Sequence, residues 1–151
     1  FHSNGYTLIR QHMRLHLETN DEKDFIYSLL EPTIIYNSEI NAIKKEGIEI
    51  KGLAHITGGG FDNVNRILPD NLYANLRFLD PALNKQSEYR FFRHEKLFKW
   101  IQKEAELTKK EMMKTFNCGV GMVVIIPDDS DWKYLSHVLK DHLIIGELEE
   151  K

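Results

Sequence analysis

Three consecutive glycines follow a histidine and a threonine in Leu53–Phe61, which reads Leu-Ala-His-Ile-Thr-Gly-Gly-Gly-Phe. The apolar run Ile48–Leu53 predicts a strand before the glycines, and the pattern of Asp62–Leu68 predicts a short helix after them. A glycine turn between a strand and a helix presents backbone N–H groups that bind anions, above all phosphate. His55 and Thr57 add an imidazole and a hydroxyl group to the same loop. The alternative is a turn that only reverses the chain, because glycine is also the usual residue where φ is positive.

Two further segments carry polar groups beside glycine. His2, Ser3 and Asn4 precede Gly5 and a predicted helix, so they are either reactive groups at a helix N-terminus or an ordinary helix cap. Asn117–Gly121 lies between a predicted helix and a predicted strand, where its glycines also suit a simple helix stop and strand entry. Taken alone, each segment is better explained by the structural alternative.

The residue types that bind metals or act as nucleophiles give little support for either function. Cys118 is the single cysteine, which excludes an internal disulfide and suits a reducing compartment. No neighbouring sequence suggests a Cys–His pair, so a buried core thiol is favoured over a nucleophile. His12 and His16 have the spacing that puts two imidazoles on one helix face, but the segment lacks the Glu of a metallohydrolase motif. We therefore expect no metal site in this chain.

The composition is that of one globular domain. The chain has 151 residues, 42% hydrophobic and 28% charged, and a net charge of −3 with its seven histidines neutral. This length supports a hydrophobic core, and the lack of a basic excess argues against nucleic-acid binding. No apolar run approaches the roughly 20 residues that span a bilayer, so we expect a cytoplasmic protein with no membrane contact. Since the chain does not begin with Met, we interpret it as an excised domain.

The order of helical and extended patterns indicates the fold. Helices are predicted near 5–18, 23–30, 35–45, 62–68, 97–105, 108–115 and 130–140, and strands near 48–56, 72–78, 122–126 and 143–148. Gly47 should end the third helix, Thr108 and Glu111 should form a capping box, and residues 122–126 suit a strand buried on both faces. Residues 79–93 are predicted as mostly loop. The pattern indicates an α+β domain with three α/β/α layers around a mixed central sheet.

Five motifs occur in the order in which one enzyme family carries them. They are Ser3–Arg10 (SNGYTLIR), Leu29–Tyr36 (LLEPTIIY), Gly52–Gly60 (GLAHITGGG), Asn65–Pro69 (NRILP) and Glu111–Met122 (EMMKTFNCGVGM). The chain closely resembles the C-terminal domain of phosphoribosylformylglycinamidine cyclo-ligase, also called aminoimidazole ribonucleotide synthetase. The resemblance covers nearly the whole chain, so residues 1–151 are interpreted as a single domain of this kind. The sequence departs from the family at Ile34, where the family usually has Arg.

The resemblance implies an enzyme of purine biosynthesis. Its reaction would use ATP to close formylglycinamidine ribonucleotide into aminoimidazole ribonucleotide, by phosphorylating the formyl oxygen and displacing it with the amidine nitrogen. The family is a homodimer that holds ATP and Mg²⁺ mainly in an N-terminal domain, and that domain is absent from this chain. We therefore expect a small ribonucleotide substrate, no nucleic-acid partner, and no ATP turnover by the isolated chain.

The resemblance also implies roles for individual residues. The catalytic candidates are His55, His2 and Asn4, which match positions in the family's cleft, where a histidine moves a proton or stabilises phosphoryl charge. The candidates for binding the substrate or a phosphate group are Thr57, Gly58, Gly59, Gly60, Ser3 and Asn117. For the four residues of the glycine loop, the substrate's 5′-phosphate is favoured over a phosphate of ATP. Related ATP-using enzymes, of the formylglycinamidine ribonucleotide synthetase, selenophosphate synthetase or thiamine monophosphate kinase type, stay open as alternatives. A non-catalytic phosphate-binding domain is a further alternative.

Overall fold

The structure, a computed structural model, describes residues 2, 4–13, 26–76, 95–128, 135, 137–139 and 142–151. The helices are α1 (Tyr6–Met13), α2 (Asn37–Lys45), α3 (Asp62–Asn65), α4 (Glu95–Glu104) and α5 (Lys109–Thr115), and residues 26–30 are also helical. The strands are β1 (Gly52–His55), β2 (Leu72–Leu76), β3 (Met122–Ile125) and β4 (Gly146–Glu150). Helices and small sheets together confirm the predicted α+β class.

The described strands form two separate pairs, and both pairs are antiparallel. In the first pair, β1 runs against β3 with Gly52 opposite Ile125 and His55 opposite Met122. In the second, β2 runs against β4 from Leu72 opposite Glu150 to Leu76 opposite Gly146. A mixed sheet needs at least one parallel pair, so these two pairings differ from the mixed sheet that the sequence predicts.

The chain divides into two compact units. The first comprises Phe1–Ile34, Ile56–Asn63 and Phe92–Gly121, and the second comprises Ile35–His55, Val64–Phe91 and Met122–Lys151. In the first unit α1 contacts α4, and the residues that are at most 1% exposed include Ile9, Ile56, Leu97, Ile101 and Phe116. Buried apolar residues of the second unit include Ile43, Ala54, Val64 and Val123. Each unit therefore has apolar core residues of its own.

Several helix ends follow local sequence signals. Gly5 has a left-handed φ of +78°, and α1 begins directly after it; the predicted residues 14–18 lie outside the described residues. α2 begins at Asn37, two residues later than predicted, because the carbonyl of Tyr36 accepts the first helical hydrogen bond, from Ile40 N at 3.0 Å. Gly47 has a φ of +75°, which confirms the glycine predicted to end this helix.

Other element ends were set by partners that are distant in sequence. β1 is four residues long rather than nine, because β3 supplies four partner residues. In β3 only Val123 is buried, so the prediction of burial on both faces is wrong; the strand forms half of a two-stranded sheet. β4 begins at Gly146 rather than at residue 143, because its partner β2 pairs from that residue onward. An apolar run therefore does not define a strand by itself.

Helix α3 ends at Asn65, three residues before the predicted end at Leu68. Beyond it, Ile67 N and Leu68 N donate to carbonyls three residues back, at 3.2 and 3.3 Å. These are turn-type bonds in place of the four-residue bonds of an α-helix. Residues 77–94 and most of residues 129–141 lie outside the described residues, so the loop predicted at 79–93 and most of the helix predicted at 130–140 do as well.

The capping box at the start of α5 is confirmed. Glu111 N donates to Thr108 Oγ1 at 3.3 Å, and Glu111 Oε2 accepts from Thr108 N at 2.8 Å and from Thr108 Oγ1 at 2.7 Å. These hydrogen bonds stabilise the carboxylate and lower the pKa of Glu111. The sequence pattern Thr-x-x-Glu therefore predicts both the helix start and the side chains that stabilise it.

Replacing the capping threonine tests this assignment. Thr108→Ala removes the side-chain bonds and should lower the free energy of unfolding by about 1 kcal/mol. A lowered folded pKa of Glu111 contributes stability above the unfolded pKa, and this contribution is lost as pH falls through the folded value. The variant should therefore show a Glu111 pKa closer to its usual value in a carboxyl NMR titration. Thr7→Ala, on an exposed face of α1, is the control, and an unchanged Glu111 pKa in Thr108→Ala would contradict the capping role.

Candidate functional site

The glycine run forms a tight turn between Ile56 and α3. Gly60 N donates to Thr57 O at 2.9 Å, which closes the turn. Gly59 and Gly60 have φ values of +90° and +56°, a left-handed conformation that side chains rarely adopt. The turn reverses the chain, as the structural alternative predicts, and two of its three glycines are needed for that conformation.

Some backbone N–H groups of this segment have a protein acceptor and others do not; we call the latter open donors. Phe61 N, Asp62 N and Asn63 N donate to Met113 O, Gly59 O and Gly60 O at 2.8, 3.2 and 3.3 Å. The first N–H groups of α3 therefore have protein partners, and the anion site expected at the helix N-terminus is not open there. In contrast, the N–H groups of Thr57–Gly59 donate to no other group within the described ranges. The open donors lie in the turn itself.

Two asparagine side chains fix the carbonyl groups of the turn. Asn4 Nδ2 donates to Thr57 O at 3.1 Å and to Thr115 O at 2.6 Å, so it joins the turn to the end of α5. Asn63 Nδ2 donates to Gly58 O at 3.1 Å and to Gly60 O at 2.8 Å. Sequence reasoning missed Asn63; its position three residues after the last glycine was the available signal. The turn is thus supported from both sides by amide donors.

Two other segments of the first unit that carry predicted residues lie beside Ile56, the residue before the turn. His2 Nδ1 lies 3.4 Å from Ile56 O, and Ile56 N donates to Gly121 O at 2.9 Å. Val120 N donates to Asn117 O at 2.9 Å, so the Asn117–Gly121 segment is itself a turn beside Ile56. The structure therefore brings together two of the motifs that the sequence separates by more than fifty residues. Ser3, the remaining candidate of this group, lies outside the described residues.

Burial separates the candidate residues into two classes. His2, Asn4 and Asn117 are 2%, 7% and 2% exposed, whereas Gly58 and His55 are exposed. Asn4 Oδ1 and Asn117 Oδ1 are buried and accept no hydrogen bond from the described residues.

His55 belongs to the second unit, as the last residue of β1. Its ring contacts the ring of Tyr36 edge to face, with centroids 6.0 Å apart and an interplanar angle of 71°. Tyr36 was not among the predicted site residues, although it closes the motif Leu29–Tyr36. The contact therefore places an aromatic ring beside an exposed imidazole.

Cys118 is buried, as expected of a core thiol. It is 3% exposed and its Sγ lies 3.8 Å from Phe116 O. Burial raises the pKa of Cys118 to about 12, because desolvation disfavours the thiolate. This environment is the opposite of that of a nucleophilic cysteine.

The raised pKa predicts an unreactive thiol. At pH 8 the thiolate population of the native protein should be about a thousandfold below that of an unperturbed cysteine, so iodoacetamide should alkylate native Cys118 at least a hundredfold more slowly than the unfolded chain. Mass spectrometry of alkylation time courses, with and without guanidinium chloride, measures this ratio. Rapid modification of the folded protein would restore Cys118 as a candidate nucleophile.

The described ranges also bear on metal binding and on membrane insertion. No group of three or more His, Cys, Asp or Glu side chains in them is placed to bind a metal ion. His12 lies in α1, and its predicted partner His16 is outside the described residues. None of the described helices has the length and apolar character needed to cross a bilayer.

Comparison with known proteins assigns the chain to a family. Residues 1–151 match the family model described as AIR synthase related protein, C-terminal domain. The chain is 37% identical over 161 residues to phosphoribosylformylglycinamidine cyclo-ligase of Lawsonia intracellularis (strain PHE/MN1-00), over 99% of this chain and 42% of that protein. A protein of the same name from Neisseria meningitidis serogroup C (strain 053442) is 40% identical over 86% of this chain and 36% of that protein. Another, from Thermoanaerobacter sp. (strain X514), is 39% identical over 99% of this chain and 44% of that protein.

The chain thus spans about two fifths of the length of these curated relatives. The match to the family model extends over the whole chain, and it includes the glycine turn, the buried asparagines and His55. The chain therefore belongs to the AIR synthase related protein family, as an example of its C-terminal domain.

Proposed function

We propose that this chain is the C-terminal part of a cyclo-ligase of purine biosynthesis, which uses ATP to close formylglycinamidine ribonucleotide into aminoimidazole ribonucleotide. The name of the relatives, phosphoribosylformylglycinamidine cyclo-ligase, supports this reaction. Since the chain spans 36–44% of their length, we assign ATP and Mg²⁺ mainly to a part of the enzyme outside it. The homodimer, the cytoplasmic location and the three-layer arrangement of the domain are proposals for the complete enzyme.

The observation that carries the proposal is the open set of donors in the glycine turn. The N–H groups of Thr57, Gly58 and Gly59 are consecutive and donate to no described group. A Cβ atom placed on Gly58 meets no described atom within 4 Å, so the backbone has open space in front of it. Successive backbone N–H groups without a protein acceptor suit a phosphate group. We assign this position to the 5′-phosphate of the ribonucleotide substrate.

The buried polar residues act by holding the turn. Asn4 and Asn63 occupy the carbonyl oxygens of Thr57, Gly58 and Gly60, which would otherwise be free to approach and repel an anion. Donors fixed before the ligand arrives do not have to reorganise when it binds. Because His2, Asn4 and Asn117 are buried, we propose that they support the turn and Ile56 before it rather than contact the reacting atoms.

His55 is the proposed catalytic residue. ATP, when bound by the complete enzyme, supplies the phosphoryl group that activates the formyl oxygen. The exposed His55 imidazole then accepts the proton that the attacking amidine nitrogen loses, or stabilises charge on the transferring phosphoryl oxygens. Either role needs an accessible imidazole in a defined orientation.

Gly58→Ala tests the phosphate assignment. The new methyl group enters the space proposed for the phosphate without meeting a described atom, so the fold should be retained while the affinity for formylglycinamidine ribonucleotide and for ribose 5-phosphate falls at least tenfold. Calorimetric titration of the 151-residue chain measures both affinities.

The control is Gly47→Ala, a second glycine with open space around it but with a φ of +75°. This variant should lose about 1 kcal/mol of stability and keep ligand affinity, the reverse of Gly58→Ala. Parental affinity in Gly58→Ala would exclude the turn as the phosphate site.

A further inference from the structure

We propose that Tyr36 is a positioning residue that holds the His55 imidazole in its working orientation, an inference that rests on the proposed role of His55. The two ring centroids are 6.0 Å apart and the rings meet at 71°. Edge-to-face pairs with centroids about 4.5–7 Å apart are the favourable aromatic geometry. Because His55 is exposed, the two rings are not in contact merely as parts of a buried core. The contact is an interaction between the rings themselves.

Both rings are attached to fixed backbone of the second unit. Tyr36 is the N-cap residue of α2, and its carbonyl accepts the first helical hydrogen bond, from Ile40 N at 3.0 Å. His55 lies in β1, where it is opposite Met122 of β3. The helix start and the strand therefore set the separation of the two side chains, and the ring contact limits the rotamers open to the imidazole.

Such a contact matters for a group that transfers a proton or stabilises developing charge. An exposed histidine rotates about two side-chain torsions, and productive chemistry uses a narrow part of that range. A neighbouring ring that restricts rotation raises the fraction of molecules in which the imidazole is correctly placed. The Tyr36 ring makes this contact, so a phenylalanine ring should replace it and an aliphatic side chain should not.

Turnover measurements in the complete enzyme that contains this chain test the inference. Tyr36→Leu should lower kcat roughly fivefold with KM changed less than twofold, because the imidazole is misplaced while substrate binding is retained. Tyr36→Phe should stay within twofold of the parent. In a His55→Ala background, Tyr36→Leu should cause no further loss, because a residue that acts through His55 has nothing left to position. If Tyr36→Leu is poorly folded, Tyr36→Met takes its place.

NMR of the 151-residue chain supplies a readout that is independent of turnover. The carbon-bound protons of the His55 ring should carry a ring-current shift that is kept in Tyr36→Phe and lost in Tyr36→Leu. Parental turnover in Tyr36→Leu, together with lost turnover in His55→Ala, would overturn the positioning role and leave the proposed function intact. Parental turnover in His55→Ala would instead remove the proposed catalytic role of His55, and the role of Tyr36 with it.

Discussion

Gly60→Ala should lower the free energy of unfolding by more than about 3 kcal/mol, whereas Gly58→Ala, two residues earlier, should change it by less than about 0.5 kcal/mol. A Cβ atom on Gly60 would lie 1.9 Å from Met113 O and 2.8 Å from Lys114 C, both backbone atoms. The φ of +56° adds strain for any side chain. Gly58 has neither problem, since no described atom lies within 4 Å of its Cβ position.

The backbone around Gly60 has little freedom to move away. Phe61 N donates to Met113 O at 2.8 Å, so the carbonyl that the new methyl group would strike is also hydrogen-bonded to the next residue of the turn. Urea unfolding followed by far-UV circular dichroism measures both variants under the same conditions. Equal stability of Gly58→Ala and Gly60→Ala would show that the turn is not packed against α5 as described.

Local signals predicted the end of α2 and the start of α5, because each signal acts over a few residues. Gly47 ends α2 through its own φ, and Thr108 begins α5 through a bond to Glu111 three residues later. Strand ends were missed because a strand lasts only where its partner pairs with it, and β1 and β3 are separated by more than sixty residues in sequence. The sequence pattern of one strand contains no information on where the other begins.

The same distinction applies to the candidate site. The run of glycines indicated the turn, and the motif order indicated that Asn4 and Asn117 belong near it. Which donors stay open was not predictable, because Phe61 N is occupied by a carbonyl from α5, more than fifty residues away. The burial of Asn4 was equally unforeseen, since asparagine is mostly exposed in proteins.

A residue distant in sequence also requires glycine at position 5. From the sequence it serves as part of an N-terminal cap, and the structure shows a second reason for glycine at this position. A Cβ atom there would lie 2.1 Å from Cε1 of Phe116, a ring that is fully buried. The helix that carries the Asn4 segment therefore approaches the end of α5 closely, and this approach lets Asn4 reach Thr115 O. The supporting hydrogen bonds of the turn depend on that packing.

His55→Ala in the complete enzyme should lower turnover at least tenfold while the melting temperature stays within about 2 °C of the parent. The loss follows from removing a group that moves a proton or stabilises charge in the transition state, which contributes about 10²–10⁴-fold in characterised enzymes. The fold should be retained because the His55 side chain is exposed and β1 pairs with β3 through backbone groups. Steady-state kinetics and a thermal unfolding curve on the same preparation measure both quantities.

His137→Ala is the matched control, because His137 is another exposed histidine of the second unit and lies in none of the motifs of the candidate site. The His137→Ala variant should keep parental turnover.

If His55→Ala lowers kcat without a matching rise in KM, the imidazole acts on the transition state rather than on substrate binding. Near-normal turnover of His55→Ala would exclude a catalytic role for this residue and leave the glycine turn as a binding element, in which case Gly58→Ala would still weaken ribose 5-phosphate binding. His55 and Gly58 are three positions apart in the sequence, and independent measurements on their variants separate catalysis from phosphate binding.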